Sequence, residues 1–409
     1  MARPKVICQL YPMLPAEDRA DRERKRPLGR NRELYHQVLH EMHGMVKEID
    51  ELGVWGISTI EHHLHSEGYE VGPNPGVMNA FWMSQVKNAY VGSLGYVMAT
   101  QDPIRVAEET AILDHMAKGK FFVGLTRGYQ SRWTNMLGQY IDAPATCSDG
   151  SADDLRNREI FEDRVETLLK CWTEEAVEVN GSTYQIPYPY DTGVVGYPAR
   201  QSIYKAGGHG EIDEDGNIRR VCVVPSVYTK PHPPVFVPMS GSRDSIPFLA
   251  KHGFRPTYFT PLDTLVDFAH YYVEEARKHG HDFAFGERQN IARWIQLGDT
   301  EAEWHEKIRR YDAEMYTQHY ATFFPNMPEF DNEADTVKAM IASGIFTGGN
   351  VEQLKETWRN IYAALPTEYI TLVCHYAHLP REILLDQLGT FMTEILPELD
   401  APYEINEAA

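Results

Sequence analysis

The stretch "YVGSLGYVMATQDPIRVAEETAILDHMAKGKFFVGLT", residues 90–126, predicts a strand, a helix and a second strand in succession. Residues 90–98 and 121–126 are short apolar runs rich in β-branched and aromatic residues, a composition typical of strands. Between them, Asp102 stands where a helix N-cap is expected and Pro103 where the first helical residue is expected. Two strands joined by one helix favour parallel pairing, so this stretch predicts a β/α unit.

The same alternation extends along the whole chain. The predicted strands are 5–11, 54–62, 90–98, 121–126, 234–240, 256–260, 292–298 and 369–376. Besides the helix described above, helical spacing predicts helices at 33–52, 157–173, 244–252, 263–279, 300–320 and 351–363. Eight apolar strands alternating with helices favour a (β/α)8 TIM barrel, and a doubly wound open sheet is the second choice. No G-x-G-x-x-G follows the first strand, which weakens the dinucleotide-binding form of that second choice.

Residues 180–234 depart from this alternation. They are rich in proline, glycine and tyrosine, and they are too many for an ordinary loop between a strand and a helix. We predict that they form an insertion, a hairpin or lid, at the mouth of the barrel. No interdomain linker is visible elsewhere, so residues 1–409 are predicted to form a single barrel domain carrying this insertion.

Composition and charge exclude several classes of function. The net charge of −20 opposes binding to nucleic acid or to anionic membranes through long-range repulsion. Apolar runs stay shorter than a membrane span, and charged residues at 17–33 stand where a secretory segment would be apolar. Five scattered cysteines without a C-x-x-C pair suggest neither a disulfide framework nor a zinc knuckle. We therefore expect a cytoplasmic protein.

The stretch "ISTIEHHLHSEGYEVGPNPG", residues 57–76, places three histidines at the end of the second predicted strand. In a barrel, the carboxyl ends of the strands build the active site. Alternate residues of a strand share a face, so Glu61 and His63 are expected to converge while His62 points away. Proton transfer and a merely hydrogen-bonded strand end both stay open. A metal site is the least favoured interpretation because a third ligand would have to come from elsewhere, and none is predicted.

Two other strand ends are suited to phosphate. Arg127 follows a buried strand and lies beside Gly128, where a guanidinium can clamp a phosphate, although it can equally cap its own loop. Residues 240–242, Ser-Gly-Ser, offer hydroxyls and amides at a helix start, although plain N-capping by Ser242 or Asp244 explains them too. Together the two strand ends predict a phosphate-bearing cofactor.

These motifs, in this order, resemble bacterial luciferase and its flavin-dependent monooxygenase relatives. The similar features are Glu-His-His at the second strand with Asn-Pro after it, the third strand followed by proline and an acidic helix, "LDHMAKGKFFVGL" with its Arg-Gly, and the Ser-Gly-Ser loop. The resemblance covers residues 55–130 and 230–253, and extends more loosely to residue 375. It is specific for fold and cofactor class and unspecific for the substrate.

The resemblance implies that His62 is the histidine that acts as acid or base, and that Glu61 and His63 are the other residues of the catalytic group. It also implies that Leu94 and Gly95 form a backbone bulge, often a non-proline cis peptide, packed against a flavin ring. His65 lies beyond the matched motif and is expected to be a loop residue.

The resemblance further assigns the cofactor contacts. Thr126 matches the position beside the isoalloxazine, and Arg127 and Arg158 match phosphate-side arginines, the second across an insertion at 138–155. The phosphate-binding loop of the family corresponds to four residues of this chain, although the family commonly has an acid at the first of them: Met239, Ser240, Gly241 and Ser242.

The implied function is that of a two-component flavin-dependent monooxygenase. Reduced FMN supplied in trans by a flavin reductase reacts with dioxygen, and the resulting flavin 4a-hydroperoxide oxygenates an organic small molecule. The lack of a nicotinamide site in the sequence agrees with a separate reductase. The alternatives are a deazaflavin-dependent oxidoreductase on the same barrel and a non-catalytic flavin-binding protein. Members of the family are commonly oligomeric, which implies a homodimer or homotetramer.

Overall fold

The computed structural model describes residues 3–146, 148–239, 242–323 and 332–405. Its strands and helices alternate, and the fold is the predicted (β/α)8 TIM barrel. The strands are β1 (Lys5–Leu10), β2 (Gly56–Thr59), β3 (Tyr90–Val97), β4 (Phe121–Thr126), β5 (Val179–Asn180), β6 (Gln185–Ile186), β7 (Val235–Met239), β8 (Arg255–Tyr258), β9 (Asn290–Leu297), β10 (Phe346–Gly349) and β11 (Tyr369–Cys374).

The barrel strands follow the order β9-β11-β1-β2-β3-β4-β7-β8, and a further pairing of β8 with β9 closes the ring. Each of these eight strands coincides with one of the eight predicted from the sequence. The prediction missed β10, a four-residue strand with two glycines that pairs with the carboxyl half of β9. Such a short segment carries little of the alternating pattern by which strands are recognised.

Each of the seven predicted helices is present, and six of the fourteen α-helices in the described residues were not predicted. The α-helices are α1 (Arg19–Arg24), α2 (Arg32–Glu51), α3 (Pro75–Met83), α4 (Pro103–Met116), α5 (Ser131–Leu137), α6 (Ala152–Thr173), α7 (Arg200–Ala206), α8 (Ile246–Lys251), α9 (Leu262–Lys278), α10 (Glu301–Tyr311), α11 (Ala313–Gln318), α12 (Glu333–Ala342), α13 (Val351–Ala364) and α14 (Arg381–Thr390). Short 3-10 turns cover Leu28–Arg30, Gln139–Ile141, Arg243–Ser245, Tyr320–Phe323 and Leu396–Glu398, and a π-turn covers Phe391–Ile395. None of the helices in the described ranges combines the length and apolar character needed to cross a membrane.

The predicted helix at 300–320 is interrupted at one residue. Asp312 lies between α10 and α11 with φ −119° and ψ −36°, outside regular helical geometry. Its carboxylate accepts a hydrogen bond from Gln296 at 2.9 Å and contacts the ring of His375 at 3.0 Å. These tertiary contacts fix the break, which helical periodicity alone does not reveal.

The chain divides into two compact units, Met1–Gly95 with Val235–Ala409, and Tyr96–Pro234. In the first unit, Asn290 on β9 donates hydrogen bonds to Thr257 on β8 at 3.0 Å and to Thr371 on β11 at 2.8 Å. All three side chains are buried, so each of these polar groups has a partner inside the sheet. These bonds tie three neighbouring strands together at one level.

In the second unit, Asp102 caps α4 as predicted, accepting from the backbone N–H groups of Ile104 and Arg105 at 2.9 and 3.0 Å. The hydroxyl of Tyr184 also donates to this carboxylate, at 2.7 Å. The segment 180–234 begins with the β5–β6 hairpin and contains α7. Its position at the mouth of the barrel, and its role as a lid, stay predictions.

Candidate functional site

The polar stretch predicted to be functional forms an irregular loop after β2. Backbone hydrogen bonds fix this loop to other parts of the first unit: Gly29 N–H donates to Ser66 O at 2.9 Å, and Leu14 N–H donates to the carbonyl of residue 68 at 2.8 Å. Leu64 and Glu70 have φ values of 63° and 44°, in the left-handed region that non-glycine residues rarely adopt. Such conformations persist where surrounding contacts impose them, and they are common at functional sites.

Glu70 is the centre of a buried polar cluster. Its Oε1 accepts the hydroxyl of Tyr320 at 2.7 Å, and its Oε2 lies 2.6 Å from His62 Nδ1 and 3.3 Å from His319 Nε2. Burial alone would raise the pKa of this wholly buried carboxyl, but His62 and His319 hold the pKa well below its usual range. Glu70 is therefore a buried carboxylate with three polar neighbours.

His62 faces this carboxylate through Nδ1. Burial lowers the pKa of His62 below its ordinary value of 6.5, because it penalises the cationic ring, and the charge of Glu70 opposes this only in part. The ring is stacked at 6.2 Å from Tyr11. A carboxylate can only accept protons from its neighbours, so neutral His62 carries its proton on Nδ1 and has Nε2 as its basic nitrogen. This arrangement is suited to a general base near neutral pH.

Glu61 and His63 form a separate pair, as predicted, although both lie beyond the last residue of β2. His63 Nε2 lies 3.0 Å from Glu61 Oε1, and Glu61 is buried. The two predicted histidines therefore have different carboxylate partners: His62 contacts Glu70, and His63 contacts Glu61. Sequence analysis missed Glu70 because it lies in a loop, where no periodic pattern marks which side chains turn inward.

The cluster continues beyond Glu70 to the end of β11. The hydroxyl oxygen of Tyr320 lies 3.2 Å from His375 Nε2, and His375 Nδ1 lies 3.0 Å from Asp312 Oδ1. The indole N–H of Trp294 also points to His375 Nε2, at 3.3 Å. Sequence analysis singled out neither Tyr320 nor the His375–Asp312 pair. All three residues lie more than 200 positions along the chain from residues 57–76, so no local pattern connects them with that stretch.

His65 is a loop residue as expected, but it is buried next to His62, with ring centroids 5.8 Å apart. Potential ligand atoms lie within 4.8 Å of one another in two sets, His62-His65-Glu70 and His65-Glu67-His319. Imidazole and carboxylate groups are common ligands of transition metals, and a cation would have to displace the direct contacts within each set. Since these contacts already explain the clustering, we propose no metal site here.

Replacing Gly29 by alanine is expected to lower the free energy of unfolding by about 1–3 kcal/mol. The added Cβ would overlap the carbonyl oxygen of His65 and force the loop outward. Urea unfolding measures the effect. Gly44→Ala on α2 is the matched control, since its Cβ meets no heavy atom within 4 Å, and it should stabilise by about 0.5–1 kcal/mol. Equal effects of the two substitutions would contradict this packing argument.

In the second unit, the predicted phosphate-side arginines converge on one carboxylate. Arg127 follows Thr126, the last residue of β4, and its Nη2 lies 2.5 Å from Asp154 Oδ1. Arg158 Nη2 approaches the other oxygen of Asp154 at 3.4 Å. Burial lowers the pKa of Arg127, and although burial would raise the pKa of Asp154, hydrogen bonds from Thr146 and Arg127 keep it lowered.

The remaining hydrogen-bonding capacity of Arg127 is consistent with a ligand. Its Nε donates to Asn157 at 3.1 Å, whereas Nη1 is buried and has no hydrogen-bond partner among the described residues. A buried guanidinium N–H without an acceptor is costly, so an anionic group of a ligand would be stabilised there. This observation fits the phosphate of a flavin cofactor.

The other predicted cofactor residues belong to the first unit. The peptide bond between Leu94 and Gly95 is a non-proline cis bond, the backbone feature that the family resemblance implies. Met239 is the last residue of β7, and Ser242 precedes the 3-10 turn at Arg243–Ser245. Ser240 and Gly241 lie outside the described residues. Flavin contacts of all these residues stay predictions.

Comparisons with known proteins agree with the fold and show the family. A family model described as luciferase-like monooxygenase matches residues 15–367. The chain is 37% identical over 90 residues to the alkanal monooxygenase beta chain of Vibrio harveyi, and 25% identical over 236 residues to the alpha chain of Photorhabdus luminescens. These matches cover 22% and 57% of this chain, but only 27% and 52% of the relatives.

Among solved structures, the fold is similar to the oxygenating constituent of 3,6-diketocamphane monooxygenase from Pseudomonas putida, a type II Baeyer–Villiger monooxygenase in complex with FMN. The TM-score is 0.70 with 16% identity, and the alignment covers 98% of this chain and all of that one (100%). At this identity the similarity concerns the fold.

Proposed function

Because the chain belongs to the luciferase-like monooxygenase family, we propose that it is a flavin-dependent monooxygenase that oxygenates a small organic molecule with reduced FMN and dioxygen. The observation that carries this proposal is the buried contact of 2.6 Å between His62 Nδ1 and Glu70 Oε2. It leaves a neutral imidazole at the end of a barrel strand, where the chemistry of this fold takes place.

Reduced FMN, when bound, supplies the electrons with which dioxygen is activated. The protein's part is proton control. His62 takes or returns a proton at Nε2, while Glu70 keeps Nδ1 protonated and fixes the orientation of the ring. Glu61 and His63 form the second carboxylate–imidazole pair on the same loop and are proposed to support this site.

Arg127 and Arg158 are proposed to contact the flavin phosphate, together with the loop from Met239 to Ser242. Thr126, Leu94 and Gly95 are proposed to contact the flavin ring. Reduced FMN is proposed to come from a separate flavin reductase in the cytoplasm. Residues 180–234 are proposed to act as a lid on a single barrel domain, and the protein is proposed to be a homodimer or homotetramer.

The function is tested by mixing the protein with reduced FMN under anaerobic conditions and then with dioxygen and candidate substrates. Alkanals and cyclic ketones are the first candidates, because similar proteins are an alkanal monooxygenase and a Baeyer–Villiger monooxygenase. We expect an oxygenated product and less hydrogen peroxide than with free reduced FMN. Turnover with a reduced deazaflavin, and none with FMN and dioxygen, would support the deazaflavin alternative and overturn this proposal.

Replacing Arg127 by alanine is expected to weaken FMN binding by about 10-fold to 100-fold, the effect of losing one or two charge-assisted hydrogen bonds. Quenching of FMN fluorescence on titration with protein measures the affinity. Arg156→Ala is the control, since this more exposed arginine on α6 pairs with Glu159 at 2.8 Å. Equal affinity of the two variants for FMN would exclude Arg127 as the phosphate contact.

A further inference from the structure

A chain of polar contacts runs from His62 away from the barrel-end loop into the first unit. It passes from His62 to Glu70 at 2.6 Å, to Tyr320 at 2.7 Å, to His375 at 3.2 Å and to Asp312 at 3.0 Å. Three of its five members, Glu70, His375 and Asp312, are buried, and His62 and Tyr320 are partly buried. Each member carries or accepts a proton, so the chain is continuous for proton transfer.

Tyr320 is the member of this series of contacts whose hydroxyl proton can change its acceptor. Its hydroxyl has one proton but two acceptors, Glu70 Oε1 at 2.7 Å and His375 Nε2 at 3.2 Å. While Glu70 is a carboxylate, the shorter bond takes the proton. If Glu70 becomes protonated, its own proton can point to the tyrosine oxygen, and the tyrosine proton then turns to His375.

His375 and Asp312, at the other end of this series of contacts, can receive a proton. Asp312 accepts from His375 Nδ1 at 3.0 Å, and Gln296 donates to the other carboxylate oxygen at 2.9 Å. A carboxylate on Nδ1 fixes the tautomer that presents Nε2 as an acceptor and stabilises the imidazolium that forms on protonation. His375 and Asp312 thus form a second imidazole–carboxylate pair, linked to the first by one hydroxyl.

We propose that Tyr320, His375 and Asp312 are positioning residues that, with Glu70, relay protons between His62 and the interior of the first unit. This inference rests on the proposed function, because it assigns His62 the proton transfer. When His62 Nε2 takes a proton, its Nδ1 proton passes to Glu70 Oε2. The carboxyl group then rotates so that this proton faces the oxygen of Tyr320 and passes to it, while the Tyr320 proton passes to His375 Nε2. One proton enters at His62 and one arrives at His375; the two groups between them, Glu70 and Tyr320, end unchanged, and His62 ends with its proton on Nε2 instead of Nδ1.

The protonation of His62 also responds to other groups around it. Acidic and basic side chains face this region from the loop after β2, from the residues just after β1 and β11, from α1 and from the segment that includes α11. They are Tyr11, Arg22, Glu61, His63, His65, Glu67, Tyr69, Glu314, His319 and His378. The test must therefore isolate the path through Tyr320 from these neighbours.

The test is a double-mutant cycle read by the ring nitrogen NMR shifts of His375, which report protonation and tautomer. His62→Gln should change the His375 shifts in the wild-type background, and the change should disappear when Tyr320 is phenylalanine. Tyr69→Phe is the matched control, since it removes a hydroxyl that donates to Glu314 at 2.9 Å outside the chain. In that background the His375 response to His62→Gln should persist.

An unchanged His375 response in Tyr320→Phe, or no response in the wild-type background, would overturn the relay. If Tyr320→Phe does not fold, Asp312→Asn provides the second measurement: it should change the His62 shifts, and their constancy would equally overturn the proposal. These spectra need neither flavin nor substrate. A protein that shows the coupling but forms no oxygenated product would therefore refute the proposed function and leave the relay intact.

Steady-state kinetics give a second readout. Tyr320→Phe should lower kcat for oxygenation by about 10-fold to 100-fold with little change in KM, because Tyr320 is proposed to act through Glu70 and His62 and not by binding the substrate. Small permeant acids such as imidazolium should restore part of the loss by supplying the proton directly. A rise in KM with unchanged kcat would assign Tyr320 to binding and overturn the relay.

Discussion

Replacing His62 by glutamine is expected to lower kcat for oxygenation by about 10²-fold to 10⁴-fold, the usual contribution of a general acid or base. Glutamine keeps a polar side chain beside Glu70 but cannot exchange a proton near neutral pH. Product formation under saturating reduced FMN measures the loss. Hydrogen peroxide should rise at the same time, because dioxygen still reacts with the flavin while proton control is lost.

The pH profile of the wild-type protein provides a linked test. Burial lowers the pKa of His62 below 6.5, so the neutral imidazole persists at more acidic pH than it would in an exposed histidine. The rate should therefore be level near neutral pH and should fall only as pH drops through this lowered pKa. His43→Gln is the control, since His43 lies on α2 and contacts Ser84 at 2.9 Å. A similar loss of kcat in His62→Gln and His43→Gln would exclude a specific role for His62.

Replacing Glu70 by alanine is expected to lower the free energy of unfolding by about 3–5 kcal/mol, the usual effect of breaking a buried charged pair from one side. The hydroxyl of Tyr320 and the facing nitrogens of His62 and His319 would all lose the same carboxylate. Urea unfolding followed by circular dichroism measures the change. Glu51→Ala, at an exposed position paired with Lys47 at 3.8 Å, should change stability by less than about 0.5 kcal/mol.

Measuring the free energy of unfolding as a function of pH separates the contribution of the Glu70 charge from that of its packing. The pKa of Glu70 is lower in the folded protein than in the unfolded chain, so the unfolded chain binds its proton first as pH falls. The stabilisation is complete above the unfolded pKa of about 4.3 and is lost as pH falls through the folded pKa. The wild-type protein should therefore lose stability more steeply than Glu70→Ala below about pH 4.3. Parallel pH profiles would show that Glu70 is not ionised in the fold.

The candidate site shows where sequence analysis reaches its limit. The predicted convergence of Glu61 with His63 is present in the structure, and His62 has a different partner, Glu70, although all three residues lie beyond the end of β2. Glu70 lies in the same quoted stretch, but its inward orientation depends on a left-handed backbone at that residue. Tyr320 meets Glu70 across 250 residues of chain, a distance that no local pattern spans.

The sequence by itself determined the eight barrel strands and most of the helices between them, because strand composition, helical spacing and capping residues act over a few neighbouring positions. The family was indicated separately, by the resemblance of an ordered series of motifs. The tertiary structure alone decided which carboxylate faces His62 and how that pair continues to His375 and Asp312. Those contacts join loop and strand ends that only the closed fold brings together. Their burial also decides the charge of each group, because desolvation and hydrogen bonding set the pKa values of the cluster.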